Sequence, residues 1–568
     1  MSSTILVPLL PLLAALIVAV GPRSSVDRRA MIGVCPLVAA LLGAIATLVS
    51  VASHGPISLR WYEPGPAIPF ALPIGLYVDR LSAVMMVLIT AIGILIYTYS
   101  MRYMQQERGY TRFLALMLLT IVVLLCMVSS ANLVMLLVFW QLLTPLLSLL
   151  AHRHEHQATL DGAFKTFTLL RTADMAFLAG IVLAFALYGT VEFQELAARA
   201  ASRAIALPLW PGGGLEISGA TAVTLLIFIG AMGKSAQFPL HVWLPSSLYA
   251  PTPVHALLHA GIINAGGFLL NRLAPLYGLS SPTLHMVFVV GMLTAVLGAC
   301  MMLTQNDIKK TLGFSTIGQM GYMIMECGLG AFALAVFHLI AHGLFKATVF
   351  LNCGNVIHKA RQEPVFPHIP HAVEEPGLSR LTWSTGFVTT LLLPLVILLV
   401  THGVLRIPLL ESQGTAIFLF FTWVTSSQAI LTLTRLRAVA SWKVSAAMLL
   451  TLLFVVFTYL FAAEAFTSFL YPDPRDVAFY FQAAALPGWL FDGLIVGTVL
   501  LTILGWVYLY AQAHGRTVQV PAWVDELRVR LYVLLMNRFY VDALYARFGR
   551  GVMRVADYVD KGSFGRLS

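Results

Sequence analysis

A lysine stands inside an apolar run, Ile227-Phe228-Ile229-Gly230-Ala231-Met232-Gly233-Lys234-Ser235, and Pro239 follows five residues on. A lysine at membrane depth is costly, so its default reading is an ion-handling group. Held away from water, it exchanges a proton in a way that a surface lysine does not. The plainer alternative is a side chain snorkelling to the interface. Pro239 has no N–H, so the carbonyl of Ser235 loses its helical partner beside that lysine. Broken helices at membrane depth are tolerated where protein or water covers the freed backbone, and ion sites in transporters are commonly built from them.

Two further groups share helix faces. His255 and His259 lie four apart, which puts them on one side of a helix. His338, His342 and Lys346 repeat the same step. Three titratable groups on one stripe of a spanning helix suit a proton wire, although any one histidine alone fits a satisfied core position. Histidines four apart also chelate metals, but no carboxylate or cysteine sits on the same turn, and no metal is expected. Arg171 and Asp174 are spaced to pair, for structure or for function. The polar stretches His152, His154, Glu155, His156 and Asp307, Lys309, Lys310 read as solvated loops.

The five cysteines sit in apolar segments without a C-x-x-C pair and read as small buried hydrophobes. No phosphate-binding glycine motif and no Cys/His cluster for zinc or iron–sulfur is present. No cofactor is therefore expected in this chain.

The elements that must position these groups are membrane helices. The 568 residues are 59% hydrophobic and only 11% charged, against roughly 45–50% and about 25% in soluble domains. The expected class is an all-α polytopic membrane protein. Runs of roughly 20 residues fall near 4–21, 30–52, 80–100, 113–131, 132–151, 163–187, 220–240, 253–275, 284–304, 312–327, 330–355, 381–402, 415–434, 444–463 and 488–512. That is about fifteen transmembrane helices. Met1-Ser2-Ser3-Thr4 lacks a basic region and a cleavage site, so the first run reads as a spanning helix. The net charge of +10 is spread over short loops, which excludes a nucleic-acid reading. The richer loop set carries Arg23, Arg102, Arg153, Lys309, Lys359 and Arg435. By the positive-inside rule that set is cytoplasmic, with the N-terminus outside and the C-terminal tail inside. Loops 53–79 and 189–219, rich in Pro, Gly and Trp, read as ordered external caps. Loop 356–380 reads as cytoplasmic. The expected divisions are 1–110, N-terminal helices and cap; 111–435, conducting core; 436–512, further helices; and 513–568, an amphipathic cytoplasmic tail.

Gly233-Lys234-Ser235-Ala236-Gln237-Phe238-Pro239-Leu240-His241-Val242-Trp243-Leu244-Pro245, followed by Ala250-Pro251-Thr252-Pro253-Val254, resembles the signature of the proton-conducting antiporter-like subunits of respiratory complex I and of multisubunit cation/proton antiporters. Tyr77-Val78-Asp79-Arg80-Leu81-Ser82, Asn132-Leu133, Arg171 with Asp174, Gly318-Gln319-Met320-Gly321-Tyr322 and Phe337-His338-Leu339 through His342 to Lys346 also match. So does Asn537-Arg538-Phe539-Tyr540-Val541-Asp542-Ala543-Leu544-Tyr545, which is similar to the L-type subunit of complex I. Within the family, His259 through Arg272 looks most like the DabB-type subunits of two-component inorganic-carbon uptake systems. The resemblance implies antiporter-like inverted repeats with broken helices in a bacterial inner membrane. It also implies a partner, DabA, a large peripheral zinc protein similar to a carbonic anhydrase, on the cytoplasmic face.

The sequence departs from the family in two places. Gln141 stands after Trp140 where the family has a glutamate; it can only hydrogen-bond Lys234. Residues 381–434 contain no lysine. Pro394 could supply the second helix break, and His402 is the nearest substitute group. The expectation is a single half-pathway through Lys234, His259, His338, His342 and Lys346. A pump subunit of a quinone or hydrogenase complex and a non-conducting membrane anchor are the alternatives.

Overall fold

Inside a bilayer every backbone N–H and C=O must be satisfied within the protein, so apolar runs close into helices. The computed structural model describes residues 2–20, 30–62, 73–151, 157–208, 214, 216–247, 250–362, 464–513 and 522–564, with isolated positions between 392 and 461. The runs become α1 (Ser2–Val20), α2 (Val34–His54), α3 (Arg80–Tyr103), α4 (Tyr110–Val128), α5 (Leu133–Ala151) and α6 (Gln157–Tyr188). After the short α7 (Phe193–Ser202) come α8 (Gly219–Lys234), α9 (Thr252–Ala260), α10 (Ala265–Arg272), α11 (Ser281–Leu303), α12 (Ile308–Gly328) and α13 (Phe332–Gln362). Beyond them lie α14 (Pro474–Ala484), α15 (Gly488–Ala513), α16 (Ala522–Met536) and α17 (Val541–Phe564).

Among the described residues eight helical spans are long and apolar enough to cross a membrane, counting α9 and α10 as one, and α1 and α8 are shorter apolar helices. The runs expected near 381–402 and 415–434, most of 444–463, Pro394, His402, the loop 152–156 and most of the loop 356–380 lie outside the described residues. Outward-facing Leu42, Val49, Phe164, Val182 and Leu303 are exposed, as lipid-facing positions require. The span over α9 and α10 is the reverse: 94% of its apolar window is buried, so it runs through the middle of the bundle.

The described parts of two long loops contain strands. Strands β1 (Ile57–Tyr62) and β2 (Ile74–Val78) pair antiparallel, as do β3 (Ala206–Pro208) and β4 (Glu216–Ser218). These two small hairpins modify the all-α expectation. Arg60 pairs with Glu192 at 3.1 Å, and Gln194 donates to the Tyr77 hydroxyl at 2.6 Å. Glu195 accepts from Thr190 at 2.6 Å and from Arg199 at 2.5 Å. These partners, Thr190 foremost, hold its carboxyl below the usual glutamate range. Asp79 caps α3 by accepting from the Ser82 N–H and also binds Arg272 at 2.7 Å. Arg272 reaches Ser82 Oγ at 2.5 Å as well, and packs against the Tyr77, Phe193 and Phe268 rings. The Tyr77–Ser82 motif is therefore a clamp that bolts the end of α10 to the cap.

Helices α11 and α12 meet backbone to backbone. A Cβ built on Gly291, Gly298, Gly321 or Gly328 would collide with main-chain nitrogen atoms of the facing helix. Small residues at such a seam replace hydrophobic drive with close packing. Asp307, expected in a loop, caps α12 by accepting from the Lys310 N–H at 2.9 Å. Gly298→Leu or Gly321→Leu is expected to remove most of the chain from the membrane fraction, because overpacking this seam has no side chain to displace. Gly497→Leu on α15, with nothing near its Cβ direction, should accumulate normally; quantitative immunoblotting of membranes checks both.

Candidate ion-translocation site

The apolar run expected over 220–240 stops at Lys234, five residues before Pro239. The stop is a Schellman turn. Gln237 N–H donates to the Met232 carbonyl at 2.9 Å and Ala236 N–H to the Gly233 carbonyl at 3.3 Å. The left-handed position falls on Ala236, with φ of 48°. Glycine normally takes that place; alanine there is strained, and such strain clusters at functional sites. The freed carbonyls find side chains. Trp243 Nε1 donates to Gly233 at 2.9 Å, and Gln237 Nε2 donates to Ser235 at 2.8 Å. The Ser235 carbonyl therefore loses its helical partner as expected, and gains a glutamine.

Lys234 is fully buried. Its Nζ donates to the Trp140 carbonyl at 3.0 Å and to Thr144 Oγ1 at 2.7 Å, and lies 5.3 Å from the Trp140 ring centre. Gln141 does not hydrogen-bond it, contrary to expectation. Pro145 explains the local geometry of α5. Its missing N–H frees the Gln141 carbonyl, which accepts from Arg171 Nη2 at 3.1 Å. Arg171 therefore forms no ion pair with Asp174, as the spacing had allowed. Asp174, buried on α6, accepts from Trp140 Nε1 at 2.7 Å through one oxygen. Its charge is felt at Lys234. Trp140 thus stands between an acid and a base, touching the acid with its indole N–H and the base with its carbonyl and ring face. The acid missing at position 141 is replaced electrostatically from α6.

A second break, unanticipated, interrupts the run expected at 253–275. Helix α9 ends at Ala260, a 3-10 turn covers Ile262–Asn264, and α10 begins at Ala265. The two breaks are stitched together by Ser235 Oγ, which donates to the Ile263 carbonyl at 2.7 Å. Asn264 Nδ2 donates to the Ala260 carbonyl at 2.8 Å. Gly343 of α13 faces both groups, and its own Cβ would come 3.1 Å from that carbonyl.

The histidines gather around this second break. The His259 ring stacks on Phe350 of α13 at 4.3 Å and lies 6.2 Å from His255. His255 Nε2 meets the Ala250 carbonyl at 3.0 Å. His259 is electrostatically coupled to His255, Lys346 and His342. His342 lies 6.2 Å from His338, ring to ring, and Lys346 donates to Ser315 at 2.8 Å. Among the described residues, no protein group hydrogen-bonds the ring nitrogens of His259 or His342.

One carboxylate was missed. Glu326 on α12, almost fully buried, lies 3.1 Å from His338 Nδ1, and Gln319 Oε1 lies 2.9 Å from His338 Nε2. The ring is thus held between the Glu326 carboxyl group and the Gln319 amide. The sequence reading considered carboxylates only on the histidines' own turn, and Glu326 reaches them from α12. The signal was present in Met325-Glu326-Cys327, an acid inside an apolar run. Among the described residues no group of three or more His, Cys, Asp or Glu is placed to hold a metal ion.

The comparisons with known proteins agree with this architecture. The family described as NADH:quinone oxidoreductase/Mrp antiporter, TM, matches residues 130–433. The complex I chain 5 N-terminus matches residues 64–114. A protein of Halothiobacillus neapolitanus named "Probable inorganic carbon transporter subunit DabB1" is 40% identical over 560 residues, 96% of this chain and 97% of that one. The chain belongs to the antiporter-like membrane subunits, and among them to the DabB type. NAD(P)H-quinone oxidoreductase chain 5 of Synechocystis is 35% identical over 64% of this chain, which spans 54% of that protein. In fold, this DabB-type chain is similar to a chain of the Mrp complex from a Dietzia species, with a TM-score of 0.59, 22% identity, and coverage of 98% of this chain and 60% of that one. It is also similar to a chain of respiratory complex I from Thermus thermophilus, with a TM-score of 0.54, 18% identity, and coverage of 85% and 99%. It is a multi-pass membrane subunit of the ion-translocating kind.

Thr144→Val removes one hydrogen bond to a charged group, worth about 1.5–3 kcal/mol, and is expected to slow ion flux by roughly tenfold or more. Gln141→Ala, whose side chain does not reach Lys234, should stay within about twofold. Flux in membrane vesicles compares the two.

Proposed function

We propose that this chain is the membrane half of an energy-coupled inorganic-carbon uptake complex in a bacterial inner membrane. It conducts protons, with sodium as the alternative ion, to drive the cytoplasmic DabA-type partner, a large zinc-containing protein similar to a carbonic anhydrase. The observation that carries the reading is the buried Lys234, held by Trp140 and Thr144 at a helix break with the Asp174 charge within reach. The route continues across the Ser235–Ile263 stitch to His259, then to His342 and Lys346, and ends at the His338–Glu326 pair. The full-length likeness to the Halothiobacillus protein supports carbon uptake over the alternatives. The shorter likeness to quinone oxidoreductase chain 5 supports a pump subunit as the second reading. The tail and the loop set that includes Lys309 and Lys310 then face the cytoplasm, opposite the hairpin caps.

Lys234→Ala is expected to leave the chain in the membrane and reduce inorganic-carbon uptake to the level of cells lacking it. His342→Ala should act in the same direction. The readout is labelled bicarbonate accumulation, with protein abundance measured alongside; uptake near normal in either variant removes the proposed pathway. Loss of quinone-dependent NADH oxidation, with carbon uptake unaffected, identifies the second reading.

A further inference from the structure

Just past the end of the Lys234 helix, His241 lies within electrostatic reach of a turn of the C-terminal segment. Between α16 and α17 the chain passes through Arg538, Phe539 and Tyr540 with φ of 55°, 54° and 55°. Three successive residues with side chains in the left-handed region are strained, and such backbone persists only where its surroundings over-determine it. Here the restraint centres on Asp542. One carboxylate oxygen binds the Lys165 ammonium of α6, and the other binds Arg538 Nη1 at 3.2 Å. The Arg538 guanidinium lies 5.7 Å over the Phe314 ring of α12, and Val541 is buried. The carboxylate therefore fastens the strained turn to α6, and Arg538, which it holds, sets the turn against α12.

His241 sits on the 3-10 turn Leu240–Val242, just past the break at Lys234, and is buried with its ring stacked on Phe238 at 5.5 Å. It has no side-chain hydrogen-bond partner, and the charged groups around its ring are Asp542, Arg538 and Lys165. The Lys165 and Asp542 side chains are each about a third exposed (30% and 34%), and ion pairs of that exposure are individually weak.

We propose that residues 538–542 are a strap that closes the cytoplasmic mouth of the Lys234 pathway, latched by Asp542 on Lys165 over His241. The strap rests on the ion-conducting reading above, and its test separates the two. In membranes holding the full complex, Asp542→Asn should raise hydrogen–deuterium exchange of the backbone amides of residues 240–247 by about tenfold or more, because the local opening they sense becomes easier. It should also raise passive proton flux several-fold. Asp542→Glu, which keeps the carboxylate, should stay near the parent in both measurements. Adding Lys234→Ala to Asp542→Asn should abolish the extra flux and keep the extra exchange. Unchanged exchange in Asp542→Asn overturns the strap, as does raised exchange without extra flux. Raised exchange with a flux that survives Lys234→Ala upholds the strap and overturns Lys234 as the conducting group. Should Asp542→Asn fail to accumulate, Lys165→Gln opens the same latch from α6 and is read by the same outcomes.

Discussion

A buried ammonium is the constraint around which the bundle is arranged. Taking an ion of that size out of water costs several kcal/mol even after relaxation, and among the described residues Lys234 has no ion-pair partner in direct contact. The cost is offset by an accumulation of smaller terms: a main-chain carbonyl, a hydroxyl, an aromatic face and the field of Asp174. All of them pass through α5 or are oriented by it. Trp140 supplies two of the contacts to the base and holds the acid at the same time. The acid and the base thus share Trp140 without touching each other, an arrangement that suits the proton exchange proposed for Lys234.

The two helix breaks follow from the same constraint. An uninterrupted helix at membrane depth hides its carbonyls from everything outside it. Stopping α8 at Lys234 and α9 at Ala260 exposes carbonyls in the middle of the bundle, where Trp243, Gln237, Ser235 and Asn264 take them up. The polar floor laid down in this way runs from the lysine to the histidine stripe. The tight glycine seam between α11 and α12 serves the stripe indirectly, because α12 presents Ser315, Gln319 and Glu326 to α13.

Much of this was legible in the residues. Among the described residues the apolar runs placed the helices with ends off by up to seven residues, and the four-residue steps grouped His255 with His259 and His338 with His342 and Lys346 on common helix faces. Pro239 signalled a break in the right region. What set its position was a turn ending on Ala236, and nothing in an alanine announces a left-handed residue. The break at Gly261 was hidden because Gly261 lies in a run otherwise continuous in hydropathy. Single-helix spacing also suggested an Arg171–Asp174 pair, whereas Pro145 on a different helix freed the carbonyl that took the arginine. Glu326 was overlooked because contacts were sought along helices, and its partner sits across a helix interface. Local chemistry was readable; pairings between helices were not.

The clamp at Arg272 constrains the central span in a further way. The outer end of α10 is fixed to the cap through Asp79 and Ser82, and the span is jointed at residues 261–264. The joint divides the span into a half bolted to the cap and a half that carries His255 and His259, packed against Phe350. The two halves are anchored by different parts of the bundle, so the histidines take their position from α13 and not from the cap.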